Sequence, residues 1–309
     1  MIEVKNLVKR YEDVLALDHF HLEVKEGEVL GLLGTNGSGK TTAIHCMLSL
    51  LQYDKGSIYI FDKPMDAYSY DSKHKIGVVF QDMAVFDDLT VKENIDYFCS
   101  LYIKDKKTRQ QYVVDALKFT GLELYVNFFP HKLSGGLLRR LNIACGIVHK
   151  PKLLFMDEPT VAVDPQSRNT ILQGILELNK QGTTIVYTSH YMEEVEQICS
   201  RIVIMDKGKV ITQGTKEELK ERIAMKEKII VEEADITKEQ LEQLLELPYI
   251  LDYKVYAHKI ELYFGNKKSQ LSSVVFFLQE HQIMYQGLYQ QLPTLNDVFL
   301  EFTGKQLRD

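Results

Sequence analysis

The sequence predicts an α/β chain in two parts, a parallel sheet wrapped by helices followed by a smaller α+β domain. Three observations predict it. Two continuous apolar runs, Leu153–Met156 and Thr184–Thr188, flank a helical stretch at Thr170–Asn179, the pattern of parallel strands buried on both faces. A glycine-rich turn, Gly34 to Gly39, sits between an apolar run and a helical one. Composition then shifts near Thr215, and strand and helix patterns resume in a new order. With 309 residues, 45% hydrophobic and 26% charged, the chain can bury such cores, and its length favours two domains over one.

Taken in order, short apolar or alternating runs at Ile2–Val4, Phe20–Val24, Val29–Leu33, Ser57–Phe61 and Ile76–Phe80 read as strands. Turn residues such as Gly27, Gly56 and Pro64 separate them. From about Val91 to His149 the spacing becomes helical, as in Val91, Ile95, Phe98 and Leu101. After the two buried strands a third run, Ile202–Met205, ends at the turn Asp206–Gly208. The segment KEELKERIAMKEK, from Lys216, reads as a charged helix. Beyond it the pattern predicts strand Lys228–Glu233, helix Lys238–Leu245, strands Ile250–Tyr256 and Lys259–Phe264, helix Ser269–Glu280 and strand Ile283–Tyr289. That is the βαββαβ order of a ferredoxin-like domain. The expected boundaries are 1–215, with a helical insert at about 82–150, and 216–309.

Lysine plus arginine number 37 against 43 aspartate plus glutamate, a net charge of −6, which argues against a protein held to nucleic acid mainly through phosphates. The N-terminal residues lack the charged-then-apolar build of a secretory signal, and no apolar run approaches the ~20 residues that span a bilayer. The four cysteines, Cys46, Cys99, Cys145 and Cys199, are scattered with no CxxC pair, so neither a zinc site nor a disulfide framework is indicated. A soluble chain of a reducing, cytoplasmic compartment is expected, one that reaches a membrane only through a partner.

The segment Gly34-Thr35-Asn36-Gly37-Ser38-Gly39-Lys40-Thr41-Thr42 matches G-x-x-x-x-G-K-[ST] between a strand and a helix. Glycines let successive backbone N–H groups turn toward phosphate oxygens, and the helix N-terminus adds its dipole. Lys40 is placed to reach the β- and γ-phosphates, and the Thr41 hydroxyl to ligate magnesium. A second signal, LLFMDEPT from Leu153 to Thr160, ends an apolar strand in paired carboxylates, at the strand end where α/β sheets bind ligands. There Asp157 suits magnesium held through water, and Glu158 suits accepting a proton from an attacking water. Together the two motifs define a nucleotide triphosphatase. A third, KLSGGLLRR from Lys132 to Arg140, sets Ser134, Gly135 and Gly136 at a helix start; read alone it would be an ordinary N-cap serine before a flexible Gly-Gly.

Over about residues 1–215 this order of motifs resembles the nucleotide-binding subunit of ATP-binding cassette (ABC) transporters, an ABC-type P-loop ATPase with a helical subdomain. Tyr11, GTNGSGKTT, Gln81, LSGG, LLFMDEP, Asp164 and His190 stand in the family's sequence. The resemblance implies ATP and Mg2+ as ligands and a role for each position. Tyr11 matches the aromatic residue that stacks on adenine. Gln81 matches the glutamine that contacts magnesium and water and links the site to the membrane partner. His190 matches the switch histidine at the γ-phosphate, and Asp164 the loop that bridges two subunits. The family's cassettes pack head to tail, so Ser134 and Gly136 would act on the ATP held by a second copy or a paralogous cassette. Thr35, Leu137 and Val161-Ala162-Val163 depart from the family's commonest residues without removing a charged or phosphate-facing group.

LPTLNDVFLEFTGKQLRD, from Leu292 to the end, resembles the closing segment of the drug and antibiotic efflux branch, and fits equally an amphipathic helix with Leu295, Val298, Phe299 and Phe302 on one face. The resemblance implies an energising subunit on the inner face of the cell membrane, serving a separate integral membrane permease in export. The alternative is a soluble, non-transport ABC ATPase or ATP-dependent regulator. A ribosome- or DNA-acting cassette fits less well, since the chain has one cassette, no sustained heptads and an acidic balance. A GTPase is disfavoured by the absence of an NKxD motif.

Overall fold

The computed structural model describes residues 1–266 and 268–304. Lys305–Asp309, the last five residues of the efflux-type closing segment, lie outside the described residues. The chain divides into two compact units that meet in sequence at Thr215 and Lys216.

The first unit opens with the hairpin β1 (Ile2–Tyr11) and β2 (Val14–Val24), whose alternating burial puts Ile2, Val4, Phe20 and Leu22 inward. β3 (Val29–Gly34), buried along its whole length, runs into α1 (Lys40–Met47). β4 (Lys55–Ile60) and β5 (Lys63–Pro64) join the hairpin in an antiparallel sheet of order β2-β1-β4-β5. The short α2 (Tyr70–Lys73) leads to β6 (Ile76–Val79). The early strands thus fall into two sheets. The sequence reading did not separate them, because a half-buried antiparallel strand and a buried parallel one differ only in alternation over a few residues.

Three helices follow. α3 (Val91–Ser100) starts at a capping box in which Thr90 and Glu93 satisfy each other's backbone N–H. α4 (Lys106–Thr120) is capped by Asp105 and stops at Gly121, whose φ of +64° a side chain would disfavour. α5 (Gly135–Ile147) starts at Ser134, which accepts the Leu137 N–H. Their apolar faces close on a core of their own that includes Val91, Ile95, Leu117 and Leu141.

β7 (Leu153–Asp157), α6 (Pro165–Lys180), β8 (Thr184–Thr188), α7 (Met192–Ile198), β9 (Arg201–Asp206) and β10 (Lys209–Gly214) complete the unit. The second sheet has the order β10-β9-β3-β8-β7-β6, parallel from β9 to β6 with β10 antiparallel at one edge. Its strand ends therefore bring β3, β8, β7 and β6 side by side although 154 residues separate Gly34 from Thr188.

The second unit runs α8 (Lys216–Arg222), β11 (Glu227–Glu232), α9 (Lys238–Leu244), β12 (Ile250–Tyr256), β13 (Lys259–Phe264), α10 (Leu271–Glu280), β14 (Gly287–Gln291) and α11 (Leu295–Thr303). Between β11 and β14 this is βαββαβ, and the sheet order β12-β13-β11-β14 with every neighbour antiparallel is ferredoxin-like. Ile229, Val231, Leu262, Phe264, Val274 and Leu278 fill its core.

Two elements of the second unit differ from expectation. The charged helix ends at Arg222 and not in KEK, because Ile223 and Met225 turn inward and Glu227 already pairs with Phe264. The last strand begins at Gly287 and not Ile283. Ile283 is buried, but its N–H goes to the Leu278 carbonyl at the end of α10, so its apolarity reports core packing outside the ladder.

Candidate functional site

The site lies at the carboxyl ends of four neighbouring parallel strands, where each chain reversal frees backbone groups. β3 delivers the glycine-rich loop. Gly37 and Gly39 take φ of +77° and +104°, the left-handed region that only glycine enters freely, and a side chain at Gly39 would strike the Ala16 carbonyl 2.6 Å away. Lys40 is 6% exposed and donates through Nζ to the carbonyls of Gly34, at 2.8 Å, and Thr35, at 3.2 Å. Burial pushes its pKa below the usual lysine range, against the opposing pull of Glu158 and Asp157. Ser38, 2% exposed, holds a hydroxyl without a partner among the described residues. A buried ammonium whose hydrogen bonds go to carbonyls and an orphaned hydroxyl are what a phosphate chain would satisfy. Asn36 and Gly37 are exposed at the crest, and Thr42 lies in the first turn of α1.

β7 delivers the acids, and β8 the threonine that holds them. Asp157, 3% exposed, receives the Thr41 hydroxyl at 2.9 Å and the Thr188 hydroxyl at 2.5 Å. A hydroxyl and a carboxylate held this close are the hard oxygen donors magnesium takes, so the donor set fits that ion. Glu158 has φ +48°, a conformation that costs a non-glycine residue about 1 kcal/mol or more. Two bonds from its N–H, to the Thr188 hydroxyl at 2.9 Å and the Thr188 carbonyl at 3.2 Å, hold it there. Its carboxylate lies 3.2 Å from His190 Nδ1.

Behind these groups sits a buried network that the sequence reading missed. Glu194, 3% exposed, accepts from Thr160 at 2.8 Å, Tyr187 at 2.7 Å and Ser189 at 2.9 Å, and lies 3.3 Å from the Arg168 guanidinium. It ties the segment after Glu158 to the one carrying His190. Its only sequence signal was a polar run, YTSHYMEE, directly after an apolar strand. Next to Glu194, burial pushes the Tyr187 phenol well above its ordinary pKa, leaving it a neutral donor.

The remaining expected residues sit as follows. Gln81 is exposed after β6, with its carbonyl taken by Arg139 Nη2 at 2.9 Å. Ser134 and Gly135 are exposed, whereas Gly136 is buried so closely that a Cβ would meet Ser167 Oγ at 2.5 Å and Asp164 Oδ2 at 2.8 Å. Asp164 caps α6, and the Ser167 N–H holds its carboxyl below the usual range. Among the described residues no hydrogen bond joins Ser134–Gly136 to the Gly34–Thr42 loop. Tyr11, 45% exposed at the β1–β2 turn, packs against Lys9, whose Nζ lies 5.1 Å from the ring centre, and not into the core.

A family model described as ABC transporter matches residues 17–161, and one described as the C-terminal domain of DrrA1-3-like ATP-binding proteins matches residues 214–303. The linearmycin resistance ATP-binding protein LnrL of Bacillus subtilis is 35% identical across 100% of both chains. The chain belongs to the ABC transporter ATP-binding family. It is an ATP-binding, ATP-hydrolysing subunit of an ABC transporter. The Nod factor export ATP-binding protein I of Ralstonia nicotianae is 31% identical, covering 100% of this chain and 95% of that one. Among solved structures, a dimeric ABC cassette in a post-hydrolysis state bound to ADP and Pi aligns with a TM-score of 0.64 at 28% identity, over 70% of this chain and 98% of that one. Among the described residues no helix is long and apolar enough to cross a membrane.

Proposed function

We propose that two copies of this cassette close head to tail over two ATP molecules, and that the cycle drives a separate membrane permease in export. The observation that carries the reading is the meeting of Lys40, Thr41, Asp157, Glu158 and His190 at adjacent strand ends while Ser134 and Gly135 stand exposed. The phosphate loop leaves one side of a triphosphate open, and an exposed LSGG helix start on a second copy is chemically suited to cover it.

In this reading the Asn36–Gly39 amides and Lys40 orient the β- and γ-phosphates, and Tyr11 offers its exposed ring to adenine. Thr41, Asp157 and Gln81 would hold Mg2+, which supplies charge neutralisation at the phosphate oxygens. Glu158 takes the proton of the attacking water, and His190 orients that carboxylate while facing the γ-phosphate. Ser134, Gly135 and Gly136 complete the partner's site, with Asp164 at the seam. Little covalent work falls to the protein; positioning and charge stabilisation carry the rate.

Export is supported by the relatives matched along the whole chain, which are named for linearmycin resistance and Nod factor export, whereas a methionine import ATP-binding protein of Clostridium tetani matches over 76% of it. The cassette would then sit peripherally on the inner membrane face. The test is Glu158→Gln. Removing a general base costs about 100-fold or more in turnover, so the variant should bind ATP, turn over at most 1% of it at the parental rate, and sediment as an ATP-dependent dimer. Hydrolysis at the parental rate would remove Glu158 from the role.

A further inference from the structure

β12 is an edge strand of the second unit, bonded to β13 on one side only. Leu251, Tyr253 and Val255 are 53%, 47% and 50% exposed along it, and every residue from Leu251 to Tyr256 is open to solvent. Its backbone is not uniformly spent. The Tyr253 N–H bonds to the neighbouring Asp252 carboxylate at 2.8 Å, so it points off the ladder toward the free edge, and the regular register from Asp252 to Tyr256 sends the Val255 amide the same way, whereas the register breaks at Leu251. Natural sheets defend such an edge with unbalanced charge, proline, brevity or a β-bulge. β12 has seven residues, no proline, and a single lysine balanced by a single aspartate two positions away, and its one register break lies before Asp252, outside the Asp252–Val255 stretch.

The order of those residues is self-complementary. When Leu251-Asp252-Tyr253-Lys254-Val255 is laid antiparallel on itself about Tyr253, Leu251 faces Val255, Asp252 faces Lys254 and Tyr253 faces Tyr253. A two-fold axis repeats each pair, as an isologous contact requires. The outward Tyr253 amides make Tyr253–Tyr253 the central hydrogen-bonded pair. Asp252–Lys254 falls in the closer, non-hydrogen-bonded position, where opposite charges help most and like charges hurt. The slipped registers lose this: a shift of one residue opposes apolar to charged side chains.

We propose that β12 pairs with β12 of a second copy of this chain, antiparallel about Tyr253, joining two four-stranded sheets into one of eight. Asp252 exchanges its local bond to the Tyr253 N–H for the partner's lysine, and the freed N–H bonds to the partner's Tyr253 carbonyl. The pairing needs no nucleotide, so it goes beyond the ATP-dependent closure proposed above. A seven-residue strand pair buries less than the ~1,000 Å2 of a self-sufficient interface, so a covalent trap is the sensitive readout.

The described cysteines Cys46, Cys99, Cys145 and Cys199 are all buried, which leaves an introduced thiol as the exposed one. In the full chain without nucleotide, Tyr253→Cys should form a disulfide dimer under mild oxidation, since hydrogen-bonded partners place Cα atoms about 5.5 Å apart, within disulfide reach. Asp252→Cys should not, because its copies sit diagonally at about 8 Å. Charge reversal supplies a second arm. Asp252→Lys and Lys254→Asp, each combined with Tyr253→Cys, should each cross-link about tenfold more slowly alone, through two like-charge pairs. Mixed together they should cross-link at the parental rate, because every opposing pair is again of opposite sign. Equal cross-linking at positions 252 and 253, cross-linking that appears only with ATP, or variants indifferent to mixing would each overturn the pairing.

Discussion

Thr188 does more at this site than its neighbours in sequence suggest. Its hydroxyl reaches Asp157 at 2.5 Å and also accepts the N–H of Glu158 at 2.9 Å, so one side chain fixes both acids and secures the left-handed backbone of the second. Thr188→Val keeps shape and strand propensity while removing both bonds. The expected outcome, on the proposed role of Asp157 at Mg2+, is a loss of about 10- to 100-fold in ATP turnover, as for residues that orient metal-binding carboxylates, with nucleotide affinity changed far less. Steady-state hydrolysis alongside equilibrium nucleotide binding checks it. A second residue sets an acid limit. His149, buried and stacked on Tyr102 at 3.8 Å, donates through Nε2 to the Ile76 carbonyl at 3.0 Å, and burial lowers its pKa from 6.5 to about 4. Between those values the unfolded chain binds a proton that the fold refuses, so stability rises with pH through the window and is flat above it. The difference is about 2 kcal/mol between pH 7 and pH 5. Denaturant unfolding at both values should show His149→Gln losing about that much less on acidification than the parent, whatever the substitution costs at neutral pH.

At the scale of elements, α5 is hooked to the segment after β6. Arg139, 3% exposed, donates to the Phe80 carbonyl at 3.0 Å and the Gln81 carbonyl at 2.9 Å, and Asn142 accepts the Ala84 N–H at 3.1 Å. The LSGG helix and the glutamine segment are therefore tied together by hydrogen bonds, a link between the strand ends and the helical insert. Arg139→Leu leaves the Gln81 carbonyl without its donor and the Phe80 carbonyl with only that of Asn142 Nδ2 at 3.3 Å, and should destabilise the first unit by about 1–3 kcal/mol. Arg139→Lys should recover little, because one ammonium cannot reproduce the planar fork. Thermal unfolding of the two variants checks both statements. The elements themselves were largely legible: β8, β12 and β13 fall on the residues that alternation or apolar runs marked, because a strand's period of two is written residue by residue. Ile283 misled for the opposite reason, since burial beneath a helix end and burial in a ladder demand the same apolar side chain.

At the scale of the molecule, two compact units that share no core residue imply two melting events. One is built on β1 to β10 and the helices among them, the other on β11 to β14 with α9 and α10. Calorimetry of the full chain should resolve two transitions. A non-hydrolysable ATP analogue at about 100 times its Kd should stabilise the nucleotide-binding transition by about 2.7 kcal/mol and leave the other unmoved.

The sequence by itself determined the chemistry available: a glycine-rich phosphate loop, paired acids at a strand end, a serine-glycine helix start, and the order in which they occur. Each is a local motif, dictated by backbone conformations and side-chain types within a few residues, and such information is carried in one dimension. What only the tertiary structure decided was how those groups are held. The hydroxyl of Thr188 clamping both acids, the buried charge of Glu194 gathering three hydroxyls, the fork of Arg139 on two distant carbonyls and the free edge of β12 all depend on which strands become neighbours. Hydrogen bonds are directional and short, so their partners are chosen by sheet order and register, and residues far apart in the chain carry no mark of the meeting.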